Sequence, residues 1–372
     1  MSELTNLSAY DFHLPENQIA QFPQFPRDRS RLLVVHRANG RIEHRSFQDL
    51  PEYLDANDLL IANNTRVMKA RLPGVRILSK EGEPRELGGK IEMLLLERPS
   101  AEDLARLGAH AGDGYAYWQG IFNSAARQLA GFRFGIPRGN GDYLEGELVR
   151  GAKESPNGTV IARFREDPVT AGVGELPLPH YIKSKAESDE RSYQTVYAKE
   201  LGSAAAPTAG LHFTEDVLAA VKARGACWEE VTLHVGLGTF RPVKTEDIRG
   251  HHMHEERYAV STATADALTR HRAAGGRVLA IGTTSVRTLE SIYDGDAKAY
   301  RAGESATSIF IYPGGREIRA VDRLLTNFHL PKSTLLMLVS AFGGRDLMLR
   351  AYAEAVEKGY RFFSYGDAML IL

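Results

Sequence analysis

A chain of 372 residues with 43% hydrophobic and 25% charged side chains holds enough apolar material for two or more ordinary domains, which excludes a disordered class. Its 46 basic and 47 acidic residues nearly cancel, so no bulk field draws a polyanion to it, and any nucleic-acid contact must come from local patches. The single cysteine, Cys227, excludes an internal disulfide and Cys-rich zinc or iron–sulfur sites and fits a reducing compartment. Met1 to Pro15 lacks a basic-then-apolar leader, and the longest apolar run, Leu335 to Phe342, is far short of a bilayer span. A cytoplasmic protein with no membrane association is expected.

In chain order, six short strand-like stretches fill the region from about Val67 to Glu166, at 67–77, 90–98, 116–122, 131–136, 143–149 and 159–165. Several alternate apolar with polar residues, and turn formers such as Gly139-Asn140-Gly141-Asp142 separate them. Evenly spaced short strands without a long helix predict a small all-β barrel, inserted as residues 67–167 into a main domain made of 1–66 and 168–372.

Beyond Pro168, strands and helices alternate. Thr214 can cap a helix with Glu215 and Asp216 in its first turn, Lys222 and Arg224 near its end, and Gly225 as its stop. Strands at 230–235, 277–281, 308–312 and 362–370 and helices at 263–274, 285–293, 333–342 and 346–358 follow. This alternation predicts an α/β main domain, barrel-like and with largely parallel strands.

Segments rich in Gly, Thr, Ser, Asn and His sit at the ends of predicted strands, where active sites of α/β folds gather. They are Asn63 to Arg66, Ala206 to Phe213, His234 to Phe240, His251 to Glu256, Gly282 to Arg287, Thr326 to Pro331 and Ser364 to Met369. Gly282 to Arg287 reads as a strand end passing into a helix, whose unpaired amides and hydroxyls suit an anion. It reads equally as a plain hydroxyl cap with Arg287 paired to Glu290 one turn on. Gly236-Leu237-Gly238 lacks the third glycine and following helix of a phosphate cradle, so a tight turn is the better reading.

The cluster His251, His252, His254, Glu255 and Glu256 lacks the spacing of a helical metal-ligand pair; no metal is expected, and the choice lies between acid–base chemistry and a solvated loop. His212, His234 and His329 stand between apolar neighbours beside Gly or Thr turns, as core histidines do and as parts of a shared pocket do. Asp367 is either a carboxylate base or the cap of a turn. Local basic clusters include Arg27, Arg29 and Arg31; Lys69 and Arg71; Lys183 and Lys185; and Arg316, Arg319 and Arg323. With Tyr181 and Tyr193 nearby, some of these can grip a phosphate backbone or stack a loop base.

The ordered set Tyr10-Asp11-Phe12-His13-Leu14-Pro15, Asn64-Thr65-Arg66-Val67, Gly89-Lys90-Ile91-Glu92, Leu176-Pro177-Leu178-Pro179 and Tyr193-Gln194-Thr195-Val196-Tyr197 resembles the S-adenosylmethionine:tRNA ribosyltransferase-isomerase family. The segments at 206–213, 282–287, 326–331 and 363–369 complete the resemblance, which spans nearly the whole chain. His180 and Gly315 depart from the family pattern. The resemblance implies transfer and rearrangement of the ribosyl group of S-adenosylmethionine, a co-substrate in place of any permanently bound cofactor. The acceptor it implies is 7-aminomethyl-7-deazaguanine at the wobble position of tRNA, and the product is epoxyqueuosine in tRNA, with adenine and methionine released. A monomer is expected.

By motif position, His212, His254 and His329 are the acid or base candidates, with Asp367 and Glu256 as carboxylate alternatives. Thr208, Gly210, Gly236, Gly238, Thr239, Thr283, Thr284, Ser285 and Arg287 are the candidates for holding S-adenosylmethionine. Asn64, Thr65, Arg66, Asn327 and Tyr365 are those for orienting the tRNA substrate. An S-adenosylmethionine-dependent RNA methyltransferase and a non-catalytic RNA-binding protein are the rival readings. The first needs a glycine-rich first turn that is missing; the second needs a charge balance the chain does not have.

Overall fold

The computed structural model describes residues 3–80, 82–124, 128–139, 141–155, 158–179, 181–182, 191–236, 243 and 245–372. The chain forms two compact units: Met1–Arg66, Pro179–Glu200 and Ala206–Leu372 make up one, and Val67–Leu178 with Leu201–Ala205 the other. Residues 168–178, which the sequence reading put with the main domain, cluster with the second unit. There the Arg71 and Glu175 main chains exchange hydrogen bonds of 3.1 and 2.8 Å.

The smaller unit is a closed barrel whose strands run Val160–Phe164, Ala116–Ser124, Leu87–Glu97, Arg71–Ile77, Arg133–Pro137 and Tyr143–Arg150 around the wall. All of its ladders are antiparallel. Inward positions such as Leu72, Met93, Leu95, Phe122, Phe134 and Phe164 fill the interior, which is why the alternation was visible in the sequence.

The larger unit carries a nine-stranded sheet in the order Gly303–Thr307, Glu256–Val260, Cys227–Leu233, Asp58–Asn63, Arg277–Ile281, Arg323–Asn327, Ala368–Ile371, Arg31–His36, Arg41–Ser46. Its described ladders are four parallel and four antiparallel, so the expectation of largely parallel strands is corrected to a mixed sheet. Parallel pairing is concentrated in the centre, around Asp58–Asn63 and Arg277–Ile281; both edges close with antiparallel partners. Among the described residues no ladder joins the two edge strands, so the sheet is open and the barrel-like expectation is corrected as well.

Each central strand sends alternate side chains to two cores. Leu59, Ile61, Val278 and Ala280 enter one, with the helices Thr262–Ala273, Thr283–Ile292, Thr334–Gly343 and Arg345–Glu357; Leu60, Ala62, Leu279 and Ile281 enter the other, with the helix Glu215–Ala223. Burying both faces excludes water from every ladder bond of the centre.

Caps follow the sequence. Thr214 accepts the Val217 amide at 3.3 Å and Ser333 that of Leu336 at 3.2 Å. The strand expected at 308–312 lies instead at Gly303–Thr307, a polar edge strand. The apolar residues Ile309, Phe310 and Ile311 follow it outside any strand and pack on the core through their side chains.

Candidate functional site

Strand direction gathers the polar turns. Asp58–Asn63, Cys227–Leu233, Arg277–Ile281 and Arg323–Asn327 run parallel and leave the sheet on one edge, at Asn64, His234, Gly282 and Phe328. Asn327 is level with Ala368, and Leu32 with Ala368, so Ser364 to Asp367 and Ser30 arrive at the same edge from the opposite direction. Leu233 is level with Tyr258 and Glu256 with Thr307, which brings Glu256 there too.

Between these turns lies a narrow cavity of about 50 Å³, lined by Thr208, Thr283, Thr284, Thr326, His329 and Ser364 with the apolar Val235, Leu335 and Phe363. Thr283 and Thr284 form the first turn of the helix Thr283–Ile292, one residue pair earlier than expected. The residue before it, Gly282, has φ 86° and ψ 157°, and no side chain caps the helix. First-turn amides of an uncapped helix lack intrahelical acceptors, and here they border the cavity. The hydroxyls of Ser285 and Thr288 turn back to the carbonyls of Ile281 (2.8 Å) and Thr284 (3.0 Å), so Ser285 is spent on the helix itself.

His212 is buried on the ring of Phe47, centroids 5.0 Å apart. The Asn327 amide nitrogen donates to the carbonyls of Phe363 (2.9 Å) and Ser364 (3.3 Å), which turns its oxygen toward His212 Nε2 at 3.3 Å. Nε2 therefore carries the hydrogen, and Nδ1 accepts from the Ser30 hydroxyl at 2.7 Å. Burial pushes this imidazole down to about 4, so it is neutral near pH 7. Asn327 is thus a strut between His212 and the 363–364 turn.

His329 lines the cavity. Its Nε2 meets Thr326 Oγ1 at 3.0 Å, its amide donates to the Tyr352 hydroxyl at 3.0 Å, and burial pushes its imidazole down to about 3. Among the described residues its Nδ1 has no hydrogen-bond partner. A neutral ring with one nitrogen held and the other uncommitted can take up or deliver a proton.

Arg287 and Glu256, both nearly solvent-free, form an ion pair. Arg287 also donates to the Thr307 carbonyl at 3.3 Å, and Glu256 accepts the Gly236 amide at 3.0 Å. The guanidinium is therefore committed to a carboxylate, and the pair ties the helix Thr283–Ile292 to the turn after His234. Glu290 takes no part; it accepts the amides of Arg319 (2.9 Å) and Ala320 (2.6 Å).

Asp367 accepts the amides of Arg31 (3.0 Å) and Arg361 (2.8 Å), the arrangement of a turn cap. Tyr365 is buried with its hydroxyl 3.5 Å from Ser192. Gly210 serves packing: a Cβ there would come within 1.9 Å of the Tyr197 hydroxyl.

Asn64 and His234 border a separate, wider hollow of about 1350 Å³ with Glu229, Glu230 and Arg257. Thr65 bonds His234 Nδ1 at 2.8 Å, and Arg66 is exposed. His254 is exposed on the stretch leading to Glu256, while His251 packs edge-on to Phe310. Gly238 and Thr239, like Lys183 and Lys185, lie outside the described residues. No group of three His, Cys, Asp or Glu side chains that could hold a metal occurs among the described residues.

Sequence reasoning missed Phe363, which lines the cavity at φ 76°, a left-handed conformation costly for a bulky residue and concentrated at functional sites. It missed Ser30 and Phe47 too, because nothing local marks a partner so far away in sequence.

The Queuosine biosynthesis protein family matches residues 7–371. An S-adenosylmethionine:tRNA ribosyltransferase-isomerase of Symbiobacterium thermophilum is 51% identical over 369 residues, covering 98% of this chain and 99% of that one. Namesakes from Moorella thermoacetica and Staphylococcus saprophyticus are 47% and 45% identical, covering 98% and 99% of this chain and 99% and 100% of theirs. A crystal structure of S-adenosylmethionine tRNA ribosyltransferase from Thermotoga maritima is 36% identical with a TM-score of 0.52, covering 98% of this chain and 100% of that one. The chain belongs to the queuosine biosynthesis protein family.

Proposed function

We infer that the chain is an S-adenosylmethionine:tRNA ribosyltransferase-isomerase. It moves and rearranges the ribosyl group of S-adenosylmethionine onto 7-aminomethyl-7-deazaguanine at the tRNA wobble position, giving epoxyqueuosine in tRNA with release of adenine and methionine. The observation that carries this is the family match from one end of the chain to the other, with relatives at up to 51% identity under that name. The convergence of the Thr, His and Ser turns on one cavity supports it from the geometry.

The chemistry divides among the side chains as follows. The cationic sulfur acidifies hydrogen on the ribose carbon bonded to it, so a modest base can remove it; His329, on the cavity wall with Nδ1 uncommitted, is placed for that role, and burial makes it a weaker base than a free imidazole. His212, held at both nitrogens, steadies the wall through Asn327. The first-turn amides and hydroxyls of Thr283 and Thr284, with Thr208, receive the methionine carboxylate. Glu256 and Arg287 position the adjoining turns, while Asn64, Thr65 and Arg66 orient the RNA. We read the barrel unit as a domain inserted into the main one, and the protein as a cytoplasmic monomer without a permanently bound cofactor. No helix among the described residues is long and apolar enough to cross a membrane.

Incubation with S-adenosylmethionine and tRNA bearing the aminomethyl base, followed by nucleoside mass analysis, tests the reading. Epoxyqueuosine with free adenine is expected; S-adenosylhomocysteine in place of adenine would make the protein a methyltransferase.

A further inference from the structure

The sequence suggests Tyr181 and Tyr193 for stacking a loop base, but both are turned inward, toward the turn that carries Phe363 and Ser364. Tyr193 is wholly buried, its ring edge-on to that of Tyr365. The Tyr181 ring lies edge-on to Phe363, centroids 4.1 Å apart, and its hydroxyl donates to the Ser364 hydroxyl oxygen. Phe363 and Ser364 both line the candidate cavity, so one side chain grips two neighbouring wall residues.

The turn is fixed from other sides as well. The Phe363 amide donates to the Phe328 carbonyl at 3.0 Å and the Gly366 amide to the Phe363 carbonyl at 2.9 Å, while the Asn327 side chain holds the carbonyls of Phe363 and Ser364. A left-handed φ of 76° at a phenylalanine persists only where its surroundings over-determine it.

The direction of the tyrosine–serine bond decides what Ser364 can offer. Tyr181 gives its hydrogen to the serine, and burial pushes its phenol well above the ordinary value, so it remains a donor at neutral pH. The serine's own hydrogen is left over. Among the described residues it meets no acceptor: the Tyr193 hydroxyl stands close but forms no hydrogen bond. A hydroxyl that accepts one bond is polarised to donate another more strongly. Ser364 is buried on the cavity wall, where a ligand oxygen would satisfy it.

The lining of the cavity says which ligand group that is. Among the described residues no Lys, Arg, Asp or Glu lines it, so a negative group inside must be met by neutral donors. The first-turn amides of the helix Thr283–Ile292 supply donors from the end of one strand. Ser364 comes from the segment before Ala368–Ile371, a strand that runs the opposite way beside Arg323–Asn327. A carboxylate, with two oxygens to satisfy, takes donors from both.

We propose that Ser364 is a binding residue for the methionine carboxylate of S-adenosylmethionine, and that Tyr181 is the positioning residue that keeps its hydroxyl a donor. This rests on the proposed function and adds to it a second set of contacts for the carboxylate.

The test uses the full chain with saturating tRNA bearing the aminomethyl base and follows adenine release. Two inhibitors that compete with S-adenosylmethionine are compared: S-adenosylhomocysteine, and its counterpart lacking the carboxylate. Ser364→Ala raises the inhibition constant of the first, and KM for S-adenosylmethionine with it, about five- to tenfold, and leaves the second within about twofold of wild type. Tyr181→Phe keeps the ring on Phe363 and removes one donated hydrogen; it moves the same constants in the same direction by about threefold. Unselective losses in Ser364→Ala, or none, overturn the proposal, because the serine then only shapes the wall. Tyr181→Phe at wild-type values overturns the part given to the tyrosine. A selective loss in Tyr193→Phe as large as that in Ser364→Ala also overturns it, since the serine's hydrogen would then belong to that phenol. Adenine release by the wild type separates the two readings. With it, unselective losses sink the serine alone; without it, the function falls and the carboxylate site with it.

Discussion

Arg287 and Glu256, thirty-one positions apart in the chain, meet as a buried ion pair that locks the helix behind the candidate site to the turn after His234. A charge so enclosed is tolerable only while its partner is present. Glu256→Ala leaves the guanidinium uncompensated and lowers unfolding free energy by about 3–5 kcal/mol. Replacing both residues by Met restores most of that, since the unpaired charge is gone. Urea midpoints measure the effect. A single variant as stable as wild type would mean that the pair is solvated.

The two buried imidazoles make stability depend on pH. Folding lowers both pKa values, His212 to about 4 and His329 to about 3, from 6.5. Above 6.5 both states are neutral and nothing is gained or lost. Below it the unfolded chain binds protons that the folded chain refuses, so stability falls with pH by about 1.4 kcal/mol per unit for each ring until the folded pKa is reached. At pH 5 the joint loss is roughly 4 kcal/mol relative to pH 7.5. His212→Gln removes about half of that slope. Urea titrations at a series of pH values check it, and a flat profile would show that the rings protonate in place. For the same reason the acid limb of kcat/KM near 6.5 that an ordinary histidine base gives is expected to be missing.

Gly210 and Tyr197 are in close approach. A methyl group at 210 meets the Tyr197 hydroxyl at 1.9 Å and Thr195 Cγ at 2.8 Å. Gly210→Ala therefore costs about 1–3 kcal/mol through overpacking. The Tyr197 hydroxyl has no hydrogen-bond partner among the described residues, so Tyr197→Phe costs little by itself and recovers part of the loss when combined with the alanine. A double-mutant cycle on thermal midpoints measures the coupling; strict additivity would remove the steric explanation.

How much of this was legible in the sequence follows from which forces are local. Barrel strands such as Leu87–Glu97 and Tyr143–Arg150 were readable because they alternate between a wet and a dry face, and the capped helices because Thr214 and Ser333 announce them. Asp58–Asn63, at the centre of the main sheet, was invisible: buried on both faces, it shows no alternation. Gly303–Thr307 was missed for the opposite reason, being a polar edge strand held by backbone pairing, while the apolar run after it drew the assignment. Within the site, the Gly/Thr/His turns stood out by composition, but their partners did not. Local spacing suggested Glu290 for Arg287, yet the fold supplies Glu256. His212 is held by Ser30, 182 positions away, and by Asn327, 115 away.

Gly282 sets where the proposed anion-binding turn points. Its φ of 86° with ψ of 157° lies in a region open essentially only to glycine, and it lets the strand Arg277–Ile281 turn directly into the helix whose first amides border the cavity. Gly282→Ala forces the backbone out of that region at a cost of about 1–3 kcal/mol and swings the Thr283 and Thr284 amides away from the cavity. If those amides hold the methionine carboxylate, the loss falls on ground-state binding, and KM for S-adenosylmethionine rises about tenfold while kcat changes less. Thr283→Val keeps the backbone and removes only a hydroxyl, so its KM shift is smaller, a few-fold at most. Steady-state adenine release at saturating tRNA gives both constants. Should Gly282→Ala reduce stability and leave the S-adenosylmethionine KM at its wild-type value, the carboxylate is bound elsewhere, and this turn serves only to start a helix.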